Sequence, residues 1–231
     1  MPILYDSLNL NREILLDLPF REGTGTITQD IAKPHHLVSL INTPTWTNLD
    51  SGLGVLQFNG TNEYLESDNL DTADLDFTDG DYSIGAWIYW QVGEDSQIVI
   101  GRYQLNTNGW ELYLYSSGIL TLRHHHAAGA TQRTACYSLG WTYNTWLFMG
   151  ISRIGGGDAI HYRNGIAIDM ICSVGGLIDP ESNNNDLVIG VRTTKDTNYF
   201  KGQMWRPRLW NRILSPDEWL TIYELEKQWF I

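Results

Sequence analysis

The segment Asp81–Trp90 constrains this chain more than any other. Tyr82, Ile84, Ala86 and Ile88 fall on one side of an extended strand, and Ser83, Gly85, Trp87 and Tyr89 on the other. Rings on both sides leave no face for water, so the strand is expected at the centre of a sheet covered twice. That demand calls for at least two layers. The neighbouring segments supply them. Leu53–Phe58 alternates and is followed by Asn59-Gly60, a turn, and then by Glu63–Glu66 as a second strand. Trp110–Tyr115 sets Trp110, Leu112 and Leu114 against Glu111, Tyr113 and Tyr115, and Ser116-Ser117-Gly118 turns the chain into Ile119–Arg123. Trp146–Arg153 is closed by Gly155-Gly156-Gly157-Asp158, a turn without the Lys and helix of a phosphate cradle. Ile160–Arg163 and Ile166–Cys172 flank Asn164-Gly165, the strongest hairpin signal in the chain, because both residues tolerate a left-handed backbone. Leu187–Val191 and Gln203–Trp210 complete the set, and Pro207, which has no N–H to give, predicts an edge or a bulge. One helix is predicted: Ser215-Pro216-Asp217-Glu218 is a capping box with Pro at the first helical position. Trp219, Ile222, Tyr223 and Trp229 follow near one face and are expected to pack on the core. About ten strands and one short C-terminal helix describe an all-β, antiparallel two-sheet sandwich.

Composition narrows the function classes. Only 18% of the 231 residues are charged while 12% are aromatic, so the chain can bury enough to exclude disorder. The net charge of −12 leaves no basic footprint for nucleic acid, and the same sign disfavours anionic membranes. No window is long enough for a transmembrane helix, so no membrane insertion is expected. Cys136 and Cys172 are too few for a disulfide scaffold and are expected as buried thiols, although they could pair on neighbouring strands. Met1-Pro2-Ile3-Leu4-Tyr5-Asp6 lacks the basic start and apolar run of a signal peptide. The composition is even from Leu15 to Glu224, which predicts one domain. It is expected over residues 13–231, preceded by an N-terminal arm over residues 1–12 that could dock elsewhere.

The C-terminal part carries a resemblance. Tyr199-Phe200-Lys201-Gly202-Gln203-Met204, followed by Arg208-Leu209-Trp210-Asn211-Arg212-Ile213-Leu214-Ser215-Pro216-Asp217-Glu218, resembles the closing strand and short helix of laminin-G-like, concanavalin A-like domains. Leu56–Leu65 with its central Gly60, Ala86-Trp87, Trp146, Tyr162-Arg163-Asn164-Gly165 and Leu187–Gly190 resemble earlier blocks of that family in the same order. Phe20–Thr26 with Asp30 and Trp46 resembles its opening region. The resemblance implies a two-sheet jelly roll. In that family, acids just after the start of the closing strand can help hold a structural calcium. Here Trp205 and Arg206 stand at those places, and a guanidinium repels the ion while indole offers no oxygen, so no cofactor is expected.

Fold alone does not give function. Glucanases of related fold carry Glu-x-Asp-x-x-Glu along a strand, and the nearest match is Glu66-Ser67-Asp68-Asn69-Leu70-Asp71, which reads as loop acids at a strand end. His124-His125-His126 could set two imidazoles on one face of a strand for a metal, but no further ligand is spaced to join them. His35-His36 reads as loop, and no serine elbow or zinc helix occurs. Tyr103, Trp110, Tyr113, Tyr115, Trp141 and Tyr143 cluster at strand ends and loops, and they are the expected ligand-binding set, because rings stack on sugars and anchor protein interfaces. The chain is therefore expected to be no enzyme but a recognition or structural module that binds a glycan or protein surface. An adhesive fold without a visible signal peptide predicts a bacteriophage virion accessory protein, a capsid decoration or tail-surface adhesin. Capsid or tail proteins are its expected partners, a homo-oligomer is open to it, and its expected place is the virion surface or the extracellular space. A stand-alone soluble lectin is the alternative, and a glucanase-type glycoside hydrolase the third reading.

Overall fold

The computed structural model describes residues 5, 8–104, 107–126, 130–136, 142–168, 171–173 and 177–230, with the backbone alone for 130–136 and 171–173. The strands are β1 (Ile14–Asp17), β2 (Ile27–Gln29), β3 (Leu37–Ile41), β4 (Thr45–Asn48), β5 (Gly54–Asn59), β6 (Tyr64–Ser67), β7 (Tyr82–Trp90), β8 (Ser96–Gln104) and β9 (Asn108–Tyr115). They continue as β10 (Leu120–His126), β11 (Ala130–Cys136), β12 (Trp146–Arg153), β13 (Ala159–Arg163), β14 (Ile166–Ile168), β15 (Ile171–Ser173), β16 (Leu187–Ile189) and β17 (Lys201–Trp210), and α1 (Pro216–Glu226) closes the order. One sheet runs β14-β13-β12-β7-β17-β5-β4, with β1 added on β17, and the other runs β15-β11-β10-β9-β8-β16-β6-β3-β2. Neighbouring strands pair antiparallel in both, as in the central ladders of β7 with β12 and β8 with β9. This is the antiparallel two-sheet sandwich that the alternation predicts and the jelly roll that the resemblance implies.

The central strand behaves as its sequence demands. Ile84, Ala86 and Ile88 of β7 lie opposite Ile151, Met149 and Leu147 of β12, and all six are buried in the sandwich core. On the other face Gly85 lies opposite Gly150. A Cβ on either glycine would stand 2.8 or 2.7 Å from the Trp219 indole, so the two form a saddle that only bare backbone allows. Trp219 lies in it fully buried, donates from Nε1 to Ser152 Oγ at 2.9 Å, and stacks on Tyr162 at 5.3 Å. Ser215 caps α1 by accepting from the Glu218 N–H while the Glu218 carboxylate takes the Ser215 N–H, which is the predicted box. The helix thereby covers the outer face of the first sheet. Trp229 departs from the predicted stripe: it follows α1 in a 3-10 turn over Lys227–Trp229, which carries it off the helical face, and it is 41% exposed.

Other expectations are refined by pairing. Asn164 and Gly165 have φ of 50° and 78°, as a tight hairpin requires. Ile166–Cys172 is not one return strand. Ile166–Ile168 stays with β13 in the first sheet, and Ile171–Ser173 pairs with β11 in the second, so the chain changes sheets inside the segment. The strands of Cys136 and Cys172 are indeed neighbours, but the register sets Cys136 across from Ile171 and Cys172 across from Ala135, so the two are not directly opposite. Pro207 lies in the central strand β17, where a register shift between Trp205 and Arg208 absorbs it as a bulge. Seventeen strands form among the described residues, against the ten or so expected, because β1 to β4 are only three to five residues long, β8 breaks its alternation with a bulge after Ile98, β11 is mostly polar, and the predicted Ile166–Cys172 strand divides in two. The segment expected as an arm is fastened over residues 8–12: Trp210 Nε1 donates to Leu10 O at 2.8 Å, and Arg212 to Arg12 O and Asn9 O at 2.8 and 2.9 Å.

A buried charge fixes the opening region. His36, read from sequence as loop, is 4% exposed and lies between two carboxylates, with Nδ1 2.7 Å from Asp30 and Nε2 3.0 Å from Asp74. Asp30 also accepts the N–H groups of Asp17, Ala32 and His36, which ties this loop to β1. Burial works against the imidazolium, but the two carboxylates outweigh it and raise the His36 pKa from 6.5 to about 9.

Two outcomes are expected. Trp219→Ala empties the saddle and should lower the unfolding free energy by about 3–5 kcal/mol in urea titrations, with α1 losing its helical signal first. The His36 pKa is raised on folding, so its stabilisation is complete below pH 6.5 and lost as pH climbs through about 9. The stability advantage of wild type over His36→Gln should therefore fall by roughly 2–3 kcal/mol between pH 6 and pH 10.

Candidate functional site

An open groove of about 660 Å³ lies between the β4–β5 hairpin and the end of α1. The bulge in β17 makes its floor. Arg206 adopts φ of 52° there, and Phe20, which also lines the groove, adopts φ of 52° as well. Such backbone is costly for residues with a Cβ and concentrates at sites that need an unusual side-chain direction. Here it lets Arg206 reach β1. Its Nε and Nη2 donate to Oδ1 and Oδ2 of the fully buried Asp17, each at 2.9 Å, and its Nη1 donates to Glu226 at 3.0 Å. Arg208 Nη2 and Trp87 Nε1 donate to the other Glu226 oxygen at 2.8 and 2.9 Å. Burial works to lower the Arg206 pKa, but the hydrogen bonds and charge of Asp17 outweigh it, so the guanidinium holds its proton more tightly than usual. The Tyr5 hydroxyl donates to Asp17 as well, and burial together with that carboxylate pushes its pKa up, so it stays a donor. Two guanidiniums and two carboxylates thus form a neutral floor. The walls are apolar: Trp46, half-buried with its Nε1 on Gly25 O at 3.0 Å, faces the exposed Leu225 and Trp229. Ser51 Oγ donates to Trp229 O at 2.8 Å and pins the far wall.

The expected ligand-binding rings are spread over several places. Trp110 is fully buried in the sandwich and donates to Leu75 O at 2.7 Å. Tyr103 and Tyr113 come together on the opposite face of the second sheet, flanking Arg123 at 4.7 and 5.0 Å, but each is 1% exposed. These three rings present no face to a solute, because burial among their neighbours uses it. Tyr115 stands edge-on to Tyr113 at 5.1 Å and is half-buried. Tyr143 packs on Trp90 at 4.3 Å and donates to Ser116 O. Trp141 lies outside the described residues.

The remaining motifs are engaged elsewhere. Glu66 accepts from Lys195 Nζ at 2.8 Å, while Asp68 caps its own loop through the Leu70 N–H, as loop acids do. His124 is fully buried between the Tyr82 hydroxyl and Ile178 O, and burial lowers its pKa to about 3. His126 pairs with Glu181 instead, and no group of three His, Cys, Asp or Glu that could hold a metal occurs among the described residues. The calcium of similar domains does not fit the closing strand. A guanidinium already occupies both oxygens of Asp17, and the polar loop near it, Asn59–Glu63, spends Asn59 Oδ1 and Glu63 Oε2 on its own N–H groups.

Sequence reasoning placed Trp205, Arg206 and the Pro207 irregularity but did not join them to Asp17, Trp46 or Trp229. The bulge signal was present, whereas the partner of Arg206 lies 189 positions away.

The sequence matches the family described as the concanavalin A-like lectin/glucanases superfamily over residues 59–218. No curated protein matches it. Among solved structures, the botulinum neurotoxin serotype G binding domain superposes with a TM-score of 0.70 at 16% identity, over 91% of this chain and 50% of that one. The binding domain of botulinum neurotoxin DC in complex with rat synaptotagmin II gives 0.71 at 14% identity, over 94% of this chain and 52% of that one. The same domain in complex with SialylT gives 0.71 at 15% identity, over 94% and 52%. The chain thus spans about half the length of these domains, and at such identities the similarity is one of fold.

Removing the central cation should expose the dependence of the floor on it. Arg206→Met leaves Asp17 buried without its paired donors and should cost about 3–5 kcal/mol by urea unfolding, while the double variant with Asp17→Asn should recover part of the loss.

Proposed function

The chain belongs to the concanavalin A-like lectin/glucanases superfamily, and we propose that it is a non-catalytic recognition module that seats a glycan or protein surface in the groove beside α1. The observation that carries this reading is the combination of an open volume, aromatic walls and a floor whose acids are spent on guanidiniums. Asp17 and Glu226 each accept from two or more donors, an arrangement that holds charges in place rather than passing protons. Ring walls over a rigid polar floor bind by stacking and directed hydrogen bonds. Structures of like fold were determined with a protein, synaptotagmin II, and with SialylT, which supports both target classes.

The finer reading places the module on a bacteriophage particle, as a capsid decoration or tail-surface adhesin. The net charge of −12 suits a surface-displayed protein. A free soluble lectin is the competing placement. Mass spectrometry of purified virions decides between them: the chain among the particle proteins supports the first, and its absence there ends it.

The groove itself is tested by Trp229→Ala, which trims an exposed wall and leaves the core intact. Binding to a glycan array and to immobilised surface proteins should fall about tenfold, the usual cost of losing an aromatic anchor. Undiminished binding by the variant would remove the groove from the reading.

A further inference from the structure

β4 is the last strand of the first sheet, and it pairs on one side only. Which of its main-chain groups that pairing uses follows from the hairpin. The Leu49 N–H donates to Leu53 O at 2.9 Å, so these residues form a hydrogen-bonded pair. In an antiparallel ladder such pairs recur at every second residue. Thr47 opposite Val55 and Thr45 opposite Gln57 therefore bond to β5, while the N–H and C=O groups of Trp46 and Asn48 turn away from it. Among the described residues no hydrogen bond reaches those groups, and the loop before β2 holds β4 through the Trp46 indole alone, on Gly25 O. Two other edges are treated differently. On β2, Gln29 turns outward and Glu22 Oε1 takes its N–H at 2.7 Å. On β1, Asp17 turns outward, its N–H goes to Asp30 Oδ1 at 2.8 Å, and its carbonyl takes the Ile31 N–H at 3.0 Å. A bare edge is a template for another chain, and folds blunt such edges with charges, proline or bulges. β4 carries none of these: Thr45-Trp46-Thr47-Asn48 is uncharged, its register with β5 is unbroken, and Pro44 stands outside it. Thr45 and Asn48 are exposed, and Trp46 is half-buried.

Resting on the recognition reading above, and narrowing its target to protein, we propose that β4 binds an extended peptide segment of a partner protein, which joins the first sheet as a further strand. Main-chain bonds to Trp46 and Asn48 supply the affinity, and alternate side chains of the segment supply the choice of partner. One row of those side chains falls beside Trp46 and Asn48, and the other beside Thr47. All three residues also line the groove, so the added strand runs at its border. The segment that fits sets an apolar residue beside the Trp46 ring and has no proline where its N–H groups must pair. A glycan has no strand-spaced series of N–H and C=O groups, and a helix spends its own internally, so neither uses this edge.

The probe is a capped hexapeptide of the β5 sequence Gly-Val-Leu-Gln-Phe-Asn, whose alternation already matches β4, and the readout is amide hydrogen exchange followed by NMR. In the free protein the Trp46 and Asn48 amides should exchange about tenfold or more faster than that of Thr47. The peptide should slow both about tenfold and leave Thr47 as it was. Two further peptides are N-methylated, one at the residues copying Val55 and Gln57, the other at those copying Leu56 and Phe58. A strand offers only alternate N–H groups to a neighbour, so one of them should bind like the parent and the other about tenfold more weakly or not at all. Asn48→Pro removes an N–H that the fold does not use. It should keep the urea midpoint of wild type and lose the peptide, while Asn48→Ala, which keeps the N–H, should retain it. Unchanged exchange at Trp46 and Asn48 under the parent peptide would overturn the inference. So would equal binding of the two methylated peptides, which would mean contact by side chains alone. Protection of these amides that grows with protein concentration and needs no peptide would assign the edge to a second copy and overturn the partner segment. If the peptide has no effect but Trp229→Ala still weakens array binding, the groove stands and the added strand falls; if neither responds, both fall.

Discussion

The seating of Trp219 on Gly85 and Gly150 governs the rest of the architecture. Two adjacent strands each give up a side chain at facing positions, and the largest side chain of the helix fills the space. Close packing of this kind has no partial form: with a methyl on either glycine the indole must leave, and with it the helix. Once Trp219 is seated, the direction of α1 is set by its cap at Ser215 and its stack on Tyr162. Glu226, two turns further on, is then delivered over the bulge of β17, where Arg206, Arg208 and Trp87 converge on it. The groove is the space left beside this arrangement, and its walls exist because the helix was placed first.

The ion pairs beneath the groove have a different task from the packing above them. Charges removed from water seldom add stability over a well-packed apolar alternative, but they are intolerant of a wrong partner. Asp17 joins β1 to β17, and its N–H is held by Asp30, which also holds His36. A single chain of polar contacts thus runs from the opening loop through β1 to the end of α1. It specifies how the first strand, the bulge and the helix meet, whereas the apolar core would accept small shifts of each.

What was legible in the sequence was local. The alternation of Tyr82–Tyr89, the left-handed pair Asn164-Gly165 and the Ser215–Glu218 box each state their geometry within a few residues, and each is found where it reads. The resemblance of seven ordered blocks extended this to the jelly roll, and membership of the family follows from the match over residues 59–218. The strands that escaped notice are either too short to show a period, as β1 to β4 are, or long but without clean alternation, as in β8 and β11. The site was less legible, since its parts are near only after folding: Asp17 with Arg206, and Ser51 with Trp229 at 178 positions apart. The surplus of rings pointed toward the second sheet, where Tyr103 and Tyr113 do gather, yet around an arginine and out of reach of solvent. Alternation tells which residues share a face, and it does not tell whether that face is covered.

The change of sheet between Ile168 and Ile171 has a mechanical side. Two sheets packed face to face are held along most of their area by dispersion and by exclusion of water, which yield when the layers slide or peel. At this margin the outermost strands of both sheets, β14 and β15, are consecutive in the chain. A pull that separates the layers there is borne by peptide bonds, which do not creep, and the opposite margin is tied likewise, because β3 of the second sheet runs into β4 of the first with three residues between them. The sandwich is in this sense a book bound along both long sides: its layers cannot part at either margin without drawing on the chain itself.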